Sequence, residues 1–250
     1  MSEIVFNKTS VGYNGIPIVV DVNFTADKGR ISALIGPNGA GKSTVLKTAA
    51  GLIKPVSGQV LIRDKAIDSY SSADLYSILS VMMTERVKVG FMTAFDVVRV
   101  GRYRYTGIFG RLTEDDRSVI KESMEMIGVW DLRDREYNTL SDGQKQRVLL
   151  ARAIVSEPGI LIMDEPASFL DMGRKIEFFD ALTEYVREKN IAVLISMHEV
   201  ELIRKVADKV ICIGQNGRID AIGQAKELIS PEYMEKLFGM KKGKYEEYFG

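Results

Sequence analysis

Short apolar runs recur along the chain, and segments with helix-like spacing of apolar residues separate them. The runs cover residues 31–35, 79–83, 159–163, 191–197 and 209–213. Because nearly every residue in them is apolar, the pattern is typical of strands buried on both faces of a sheet. The sequence therefore predicts an α/β fold with these runs as core strands.

Helices are predicted where apolar residues are spaced three or four positions apart after a capping residue. Thr93 and Thr113 are such caps. The predicted helices cover 45–50, 72–78, 94–100, 114–127, 145–155, 172–188, 199–207, 225–229 and 231–238. Further strands are expected in 3–25 and 57–62, and a charged tail after 238. The part from 93 to 139 is expected to be an all-helical insertion.

A phosphate-binding pattern lies between the first core strand and the first helix. It reads Gly36-Pro37-Asn38-Gly39-Ala40-Gly41-Lys42-Ser43-Thr44, which is G-x-x-x-x-G-K-[ST]. A strand, a glycine-rich turn and a helix start form a nest of backbone N–H groups that suits a phosphate. Lys42 is then predicted to reach the β- and γ-phosphates, and the Ser43 hydroxyl to ligate Mg²⁺.

Polar residues end two of the predicted core strands. Asp164 and Glu165 follow the run 159–163, and His198, the single histidine, follows the run 191–197. Adjacent acids at the end of a buried strand are costly unless they bind something. In a P-loop protein the first acid supports Mg²⁺ and the second polarises a water molecule. A ligand contact is also favoured over a structural role for His198, since strand ends meet the ligand in such sheets.

A second candidate phosphate contact is the segment Leu140-Ser141-Asp142-Gly143-Gln144, which leads into a predicted helix. Alone it is a weak signal, because Ser and Asp often cap helices.

Composition narrows the class of protein. The 250 residues carry no net formal charge, so an overall basic footprint for nucleic acid is absent. The single cysteine, Cys212, excludes an internal disulfide and is expected to be a buried small hydrophobe. No secretory signal and no run of about 18 apolar residues is found, which predicts a cytoplasmic protein.

In this order, the motifs resemble those of the ATP-binding cassette (ABC) ATPases over essentially residues 3–240. Residues 140–144 resemble the family's LSGGQ motif with Asp142 in place of a glycine, and 168–171 resembles its D-loop. The resemblance implies a single domain: a P-loop NTPase core with an antiparallel β subdomain and an inserted α-helical subdomain. The implied parts are 1–84 with 140–222 for the core, 85–139 for the helical subdomain, and 223–250 for C-terminal helices and tail.

The resemblance also implies roles for single residues and two cofactors, ATP and Mg²⁺. Tyr13 matches the aromatic residue that stacks on adenine, Glu165 the general base, and His198 a γ-phosphate contact. The Mg²⁺ contacts are Ser43 and Asp164. Residues matching the motif that contacts ATP on a second subunit are Ser141, Asp142, Gly143 and Gln144. A homodimer is therefore expected when ATP binds.

One position departs from the family pattern. Where these cassettes usually carry a glutamine that ligates Mg²⁺ and touches the membrane partner, this chain has Thr84, followed by Glu85. The hypothesis is that Thr84 keeps a weaker metal contact or that Glu85 substitutes for it.

The stretches 101–105, 110–116 and 229–239 resemble importer cassettes for iron–siderophore complexes, haem and cobalamin. The implied partners are integral-membrane permease subunits and, indirectly, an extracytoplasmic substrate-binding protein, with the chain at the cytoplasmic face of the membrane. The alternative is a soluble non-transport ABC ATPase, such as an iron–sulfur assembly scaffold subunit. A small-molecule P-loop kinase is disfavoured because it leaves residues 140–144 unexplained. A nucleic-acid-associated ABC protein is disfavoured because such proteins usually carry two cassettes or a long coiled coil, and this sequence shows neither.

Overall fold

The computed structural model describes residues 2–83, 89–106 and 111–249. The described strands are β1 Ser2–Tyr13, β2 Ile16–Asp27, β3 Ile31–Ile35, β4 Ser57–Ile62, β5 Lys65–Ala66, β6 Leu79–Met82, β7 Ile160–Asp164, β8 Ala192–Ser196, β9 Lys209–Ile213 and β10 Ile219–Gln224. They form a four-stranded antiparallel sheet of order β2-β1-β4-β5 and a six-stranded sheet of order β10-β9-β3-β8-β7-β6.

The apolar runs form the core of the six-stranded sheet, in which β9, β3, β8, β7 and β6 pair in parallel and β10 is antiparallel to β9. Side chains alternate between its faces, as the pleat of a strand requires. On β7, Leu161 and Met163 join one buried cluster, while Ile160 and Ile162 join the other. Both faces are covered, which explains the continuous apolar runs and confirms the predicted α/β fold.

The described α-helices agree closely with the predicted segments. They are α1 Lys42–Ala49, α2 Ser72–Ile78, α3 Ala94–Arg99, α4 Glu114–Met126, α5 Asp142–Ile154, α6 Met172–Lys189, α7 Val200–Val206, α8 Ala225–Leu228, α9 Pro231–Phe238 and α10 Lys244–Phe249. Thr93 and Thr113 each form a capping box, with Asp96 and Asp116. No helix among the described residues combines the length and apolarity that a membrane crossing demands.

The two buried clusters define the layers. One joins the antiparallel sheet and α1 to the core sheet, through residues such as Phe6, Leu46 and Leu194. The other joins α3, α4, α5 and α6 to the opposite face, through residues such as Ile120 and Phe178. The subdomain boundaries given above stay predictions.

Three predicted elements differ from the structure, and the first is α1, which begins at Lys42 rather than at residue 45. Helix α5 begins at Asp142 rather than at Lys145, because Ser141 and Gln144 form a capping box and so make the polar segment the first helical turn. The expected charged tail contains α10. There Tyr245 is buried, and its N–H donates a hydrogen bond of 2.9 Å to Glu235 Oε1.

Arg102 connects separate parts of the chain through a buried ion pair. Its Nη2 and Nε donate to Asp116 Oδ1 over 2.9 and 3.1 Å, and its Nη1 donates to Glu157 Oε2 over 2.7 Å. The Arg102 and Asp116 side chains are 7 % and 4 % exposed. Hydrogen bonds from Thr113 and the Arg102 charge lower the pKa of Asp116. The carboxylate is therefore held ionised in a buried place, where it depends on its partner.

Replacing Arg102 with alanine is expected to reduce the free energy of unfolding by about 3–5 kcal/mol, because the buried Asp116 carboxylate loses its counter-charge. The control is Arg99→Ala, which removes an exposed arginine 3.5 Å from Asp96. This substitution should change the free energy of unfolding by about 0–1 kcal/mol. Urea unfolding measures both. Equal effects of the two substitutions would contradict a buried pair at Arg102.

Candidate functional site

The loop between β3 and α1 approaches its neighbours so closely that two of its glycines have no room for a side chain. A Cβ on Gly36 would lie 2.2 Å from the Ile213 carbonyl oxygen, and one on Gly41 would lie 2.3 Å from Val19 Cγ2. Gly36, Gly39 and Gly41 also have φ of 152°, 80° and 101°, the region that favours glycine. The backbone thus forms an open cradle at the start of α1, as the phosphate-binding pattern requires.

Lys42 is folded into this cradle. Its side chain is buried, and Nζ donates hydrogen bonds to the carbonyls of Gly36 and Pro37, over 2.8 and 3.1 Å. Burial lowers the pKa of Lys42, and the negative charges of Glu165 and Asp164 oppose that shift. The loop therefore holds a cation where a phosphate group would need one.

The predicted acids lie at the end of β7. Asp164 is buried at 6 % exposure, and its Oδ1 accepts a hydrogen bond of 2.6 Å from the Ser196 hydroxyl on β8. Glu165 follows with the left-handed φ of 45°, and its N–H donates to the same hydroxyl over 2.9 Å. The acids are thus held by the neighbouring strand.

His198 meets the second acid. Because β7 and β8 are parallel neighbours, their following residues emerge at the same sheet edge. His198 Nε2 lies 2.5 Å from Glu165 Oε1, with both side chains about a third exposed. Two residues that the sequence singled out separately therefore form one contacting pair.

A cleft of about 640 Å³ joins the cradle to this pair. Its lining residues are Ile18, Asn38, Gly39, Gly41, Lys42, Ser43, Thr44, Glu165 and His198. Tyr13 is not among them. It ends β1 and is 42 % exposed, whereas Ile18 on β2 lines the cleft and is 39 % exposed. Sequence reasoning missed Ile18, because an apolar strand residue looks like any core residue until its exposure is known.

The segment Ser141–Gln144 lies apart from this cleft. The Ser141 hydroxyl accepts from the Gln144 N–H over 3.3 Å, and Gln144 Oε1 accepts from the Ser141 N–H over 3.0 Å. Ser141 and Asp142 are exposed, and none of the four residues lines the cleft. One copy of the chain thus brings together the P-loop, Glu165 and His198, while the second predicted phosphate contact does not line their cleft.

The residues present fit a nucleotide–Mg²⁺ complex. Ser43 lines the cleft, and the buried Asp164 directly precedes Glu165, which also lines it. The described residues contain no group of three or more His, Cys, Asp or Glu side chains arranged to hold a metal. This donor set suits Mg²⁺, which is usually bound by one or two protein oxygens together with substrate phosphates. Thr84 and Glu85 lie outside the described residues.

Comparison with known proteins gives a consistent result. A family model described as ABC transporter matches residues 19–168. An ABC transporter ATP-binding protein of Methanocaldococcus jannaschii is 41 % identical over 96 % of this chain and 83 % of its own. The iron(3+)-hydroxamate import ATP-binding protein FhuC of Bacillus subtilis is 30 % identical over 95 % and 88 %.

A solved structure shares the fold as well. CbiO1 of Clostridium perfringens, part of the ABC transporter complex CbiONQ, superimposes with a TM-score of 0.82 at 26 % identity, over 94 % of this chain and 93 % of its own. With the P-loop, Glu165 and His198 on one cleft, these similarities lead to one assignment. The chain belongs to the ABC transporter family and is an ATP-binding subunit with ATPase activity.

Proposed function

We propose that this chain is the ATP-hydrolysing subunit of an importer that takes up an iron chelate, acting at the cytoplasmic face of the membrane. The observation that carries the ATPase role is the convergence of Lys42, Glu165 and His198 on one cleft. The iron chelate is supported by the name of the Bacillus subtilis relative and by the importer-like stretches of the sequence. A non-transport iron–sulfur scaffold ATPase has no comparable support.

Each residue of the cleft has a part in this proposal. The P-loop N–H groups bind phosphate oxygens, and Lys42 exchanges its two carbonyl partners for the β- and γ-phosphates. Ser43 and Asp164 would hold Mg²⁺, which neutralises charge on the phosphates. Glu165 orients the attacking water, and His198 fixes the Glu165 side chain and contacts the γ-phosphate. Positioning and charge stabilisation supply most of the rate.

A second copy of the chain completes the site. Ser141–Gln144 form an exposed helix start, whose N–H groups and dipole favour an anion. Because this turn does not line the cleft of its own chain, it is available to the γ-phosphate bound by a partner copy. The proposed active form is therefore a homodimer that closes on two ATP molecules.

The permease contact is proposed at a groove of about 280 Å³ beside the edge strand β6. Tyr76 and Val100 line it and are 40 % and 44 % exposed, and Tyr103 on the adjoining helical turn is 77 % exposed. Clustered exposed apolar side chains are typical of an interaction surface. The groove is lined by residues of β6 and α5, and α5 begins at the turn proposed to contact the partner's ATP, which would link the permease to closure of the homodimer.

The test is transport by the complete complex. The tagged chain is purified with its permease from its own membranes and reconstituted in vesicles with the cognate binding protein. Uptake of ⁵⁵Fe-labelled ferric hydroxamate is compared with uptake of labelled cobalamin and of Mn²⁺. We expect ATP-dependent accumulation of iron only. We expect no accumulation when the Glu165→Gln variant takes the place of the native chain. Accumulation of cobalamin or Mn²⁺ instead of iron would overturn the substrate class. If the tagged chain is purified from membranes and no permease accompanies it, the transport role would be overturned.

A further inference from the structure

Ser196 is the last residue of β8 and lies beside the last residue of β7. The parallel pairing of the two strands places Asp164 opposite Ser196, and Ser196 is fully buried. Its hydroxyl donates to Asp164 Oδ1 over 2.6 Å and accepts from the Glu165 N–H over 2.9 Å. A single side chain therefore contacts both acids of the ATP site, one through its carboxylate and the other through its backbone.

The backbone of Glu165 benefits from such a contact because its conformation is uncommon. Its φ of 45° lies in the left-handed region, which costs free energy for any residue with a Cβ and persists only where the surroundings impose it. The Glu165 N–H is fixed by Ser196, and the Glu165 carboxylate lies 2.5 Å from His198 Nε2. Glu165 is thus fixed by contacts at both its backbone and its carboxylate, and Ser196 makes the backbone contact.

We propose that Ser196 is a positioning residue for ATP hydrolysis. Its hydroxyl sets the rotation of the Asp164 carboxylate toward the Mg²⁺ position and holds the Glu165 backbone so that the carboxylate faces the attacking water. This inference rests on the roles proposed for Asp164 and Glu165. It goes beyond them because Ser196 is fully buried, does not line the cleft and acts through the two acids.

A second serine in the same sheet provides a matched comparison. Ser32 lies on β3, which pairs with β8, and is likewise fully buried. Its hydroxyl has no hydrogen-bond partner among the described residues. Burial in this sheet therefore does not by itself give a serine two partners. The contacts of Ser196 follow from its place at the strand end, opposite Asp164.

The experiment compares Ser196→Ala, Ser196→Cys and Ser32→Ala in the full-length chain. Ser196→Ala is expected to lower kcat for Mg–ATP hydrolysis by about 10- to 100-fold, the usual effect of removing a group that orients metal ligands. ATP affinity measured in EDTA, without free Mg²⁺, should stay unchanged. Added Mg²⁺ increases ATP affinity, and the Mg²⁺ concentration that gives half of this increase should rise by about 10-fold in the variant. Ser196→Cys keeps the shape but has a weak donor and acceptor, so it should lie between Ser196→Ala and the native chain.

Ser32→Ala should match the native chain in both measurements. A Ser196→Ala protein with the same kcat and Mg²⁺ dependence as Ser32→Ala would overturn the proposal. If Ser196→Ala fails to fold, Ser196→Cys decides, and native values in that variant would overturn it. A native chain that binds Mg–ATP without hydrolysing it would overturn the proposed function, while the Mg²⁺ titration would still test Ser196.

Discussion

Replacing Glu165 with glutamine is expected to leave ATP binding intact, to lower hydrolysis by about 10²- to 10⁴-fold, and to trap a dimer. Glutamine keeps the size of the side chain and can still contact His198, but it cannot accept a proton from water. The P-loop, Lys42 and Ser141–Gln144 are unaltered, so two chains should close on ATP and fail to reopen. Single-turnover hydrolysis and sedimentation velocity, with and without Mg–ATP, measure the two effects.

The matched control for this substitution is Glu184→Gln, an exposed glutamate in the middle of α6. It makes the same chemical change away from the cleft and should hydrolyse ATP at the native rate. A Glu165→Gln protein that also turned over at the native rate would refute Glu165 as the base. If it bound ATP, failed to hydrolyse it and stayed monomeric, the base would stand. Either dimer closure then needs the permease or the Thr84 departure weakens it, and sedimentation with the permease present separates the two.

Much of the fold could be predicted because its signals are local. The run Ile31–Ile35 is apolar except for Ser32 and forms a strand that is buried on both faces. Thr93 and Thr113 precede helices that they cap, as a threonine followed three residues later by an acid indicates. The P-loop is equally local, since its glycines, its lysine and the flanking strand and helix are consecutive in the chain.

The contacts between the site residues could not be predicted, because they depend on the register of distant strands. Ser196 bonds to Asp164 only because β8 pairs with β7 without a shift, and nothing near Ser196 in the sequence indicates this. The same pairing brings His198 to Glu165. The early start of α5 is a different case. The pattern Ser141-x-x-Gln144 is a capping-box signal that the sequence itself contains, and it places the first helical residue at Asp142.

Replacing Lys42 with alanine is expected to weaken ATP binding by about 10- to 100-fold. A charge-assisted hydrogen bond contributes about 1.5–3 kcal/mol, and each 1.4 kcal/mol changes the affinity about tenfold. In the free chain the ammonium group donates to the Gly36 and Pro37 carbonyls, and its removal should alter the P-loop backbone little. Titration calorimetry with ATP measures the affinity, and thermal melting verifies that the variant folds.

The control is Lys47→Ala, which removes a half-exposed lysine from the last turn of the same helix and should bind ATP as the native chain does. A second comparison uses pH. Burial sets the pKa of Lys42 below its ordinary value of 10.5, and bound phosphates raise it again by favouring the charged form. Native affinity should therefore fall as the pH rises through the pKa of the free chain. Because the Lys42→Ala variant has no ammonium proton to lose at this position, its weaker affinity should stay constant over the same pH range. A parallel fall in the affinity of both proteins would show that another group is responsible.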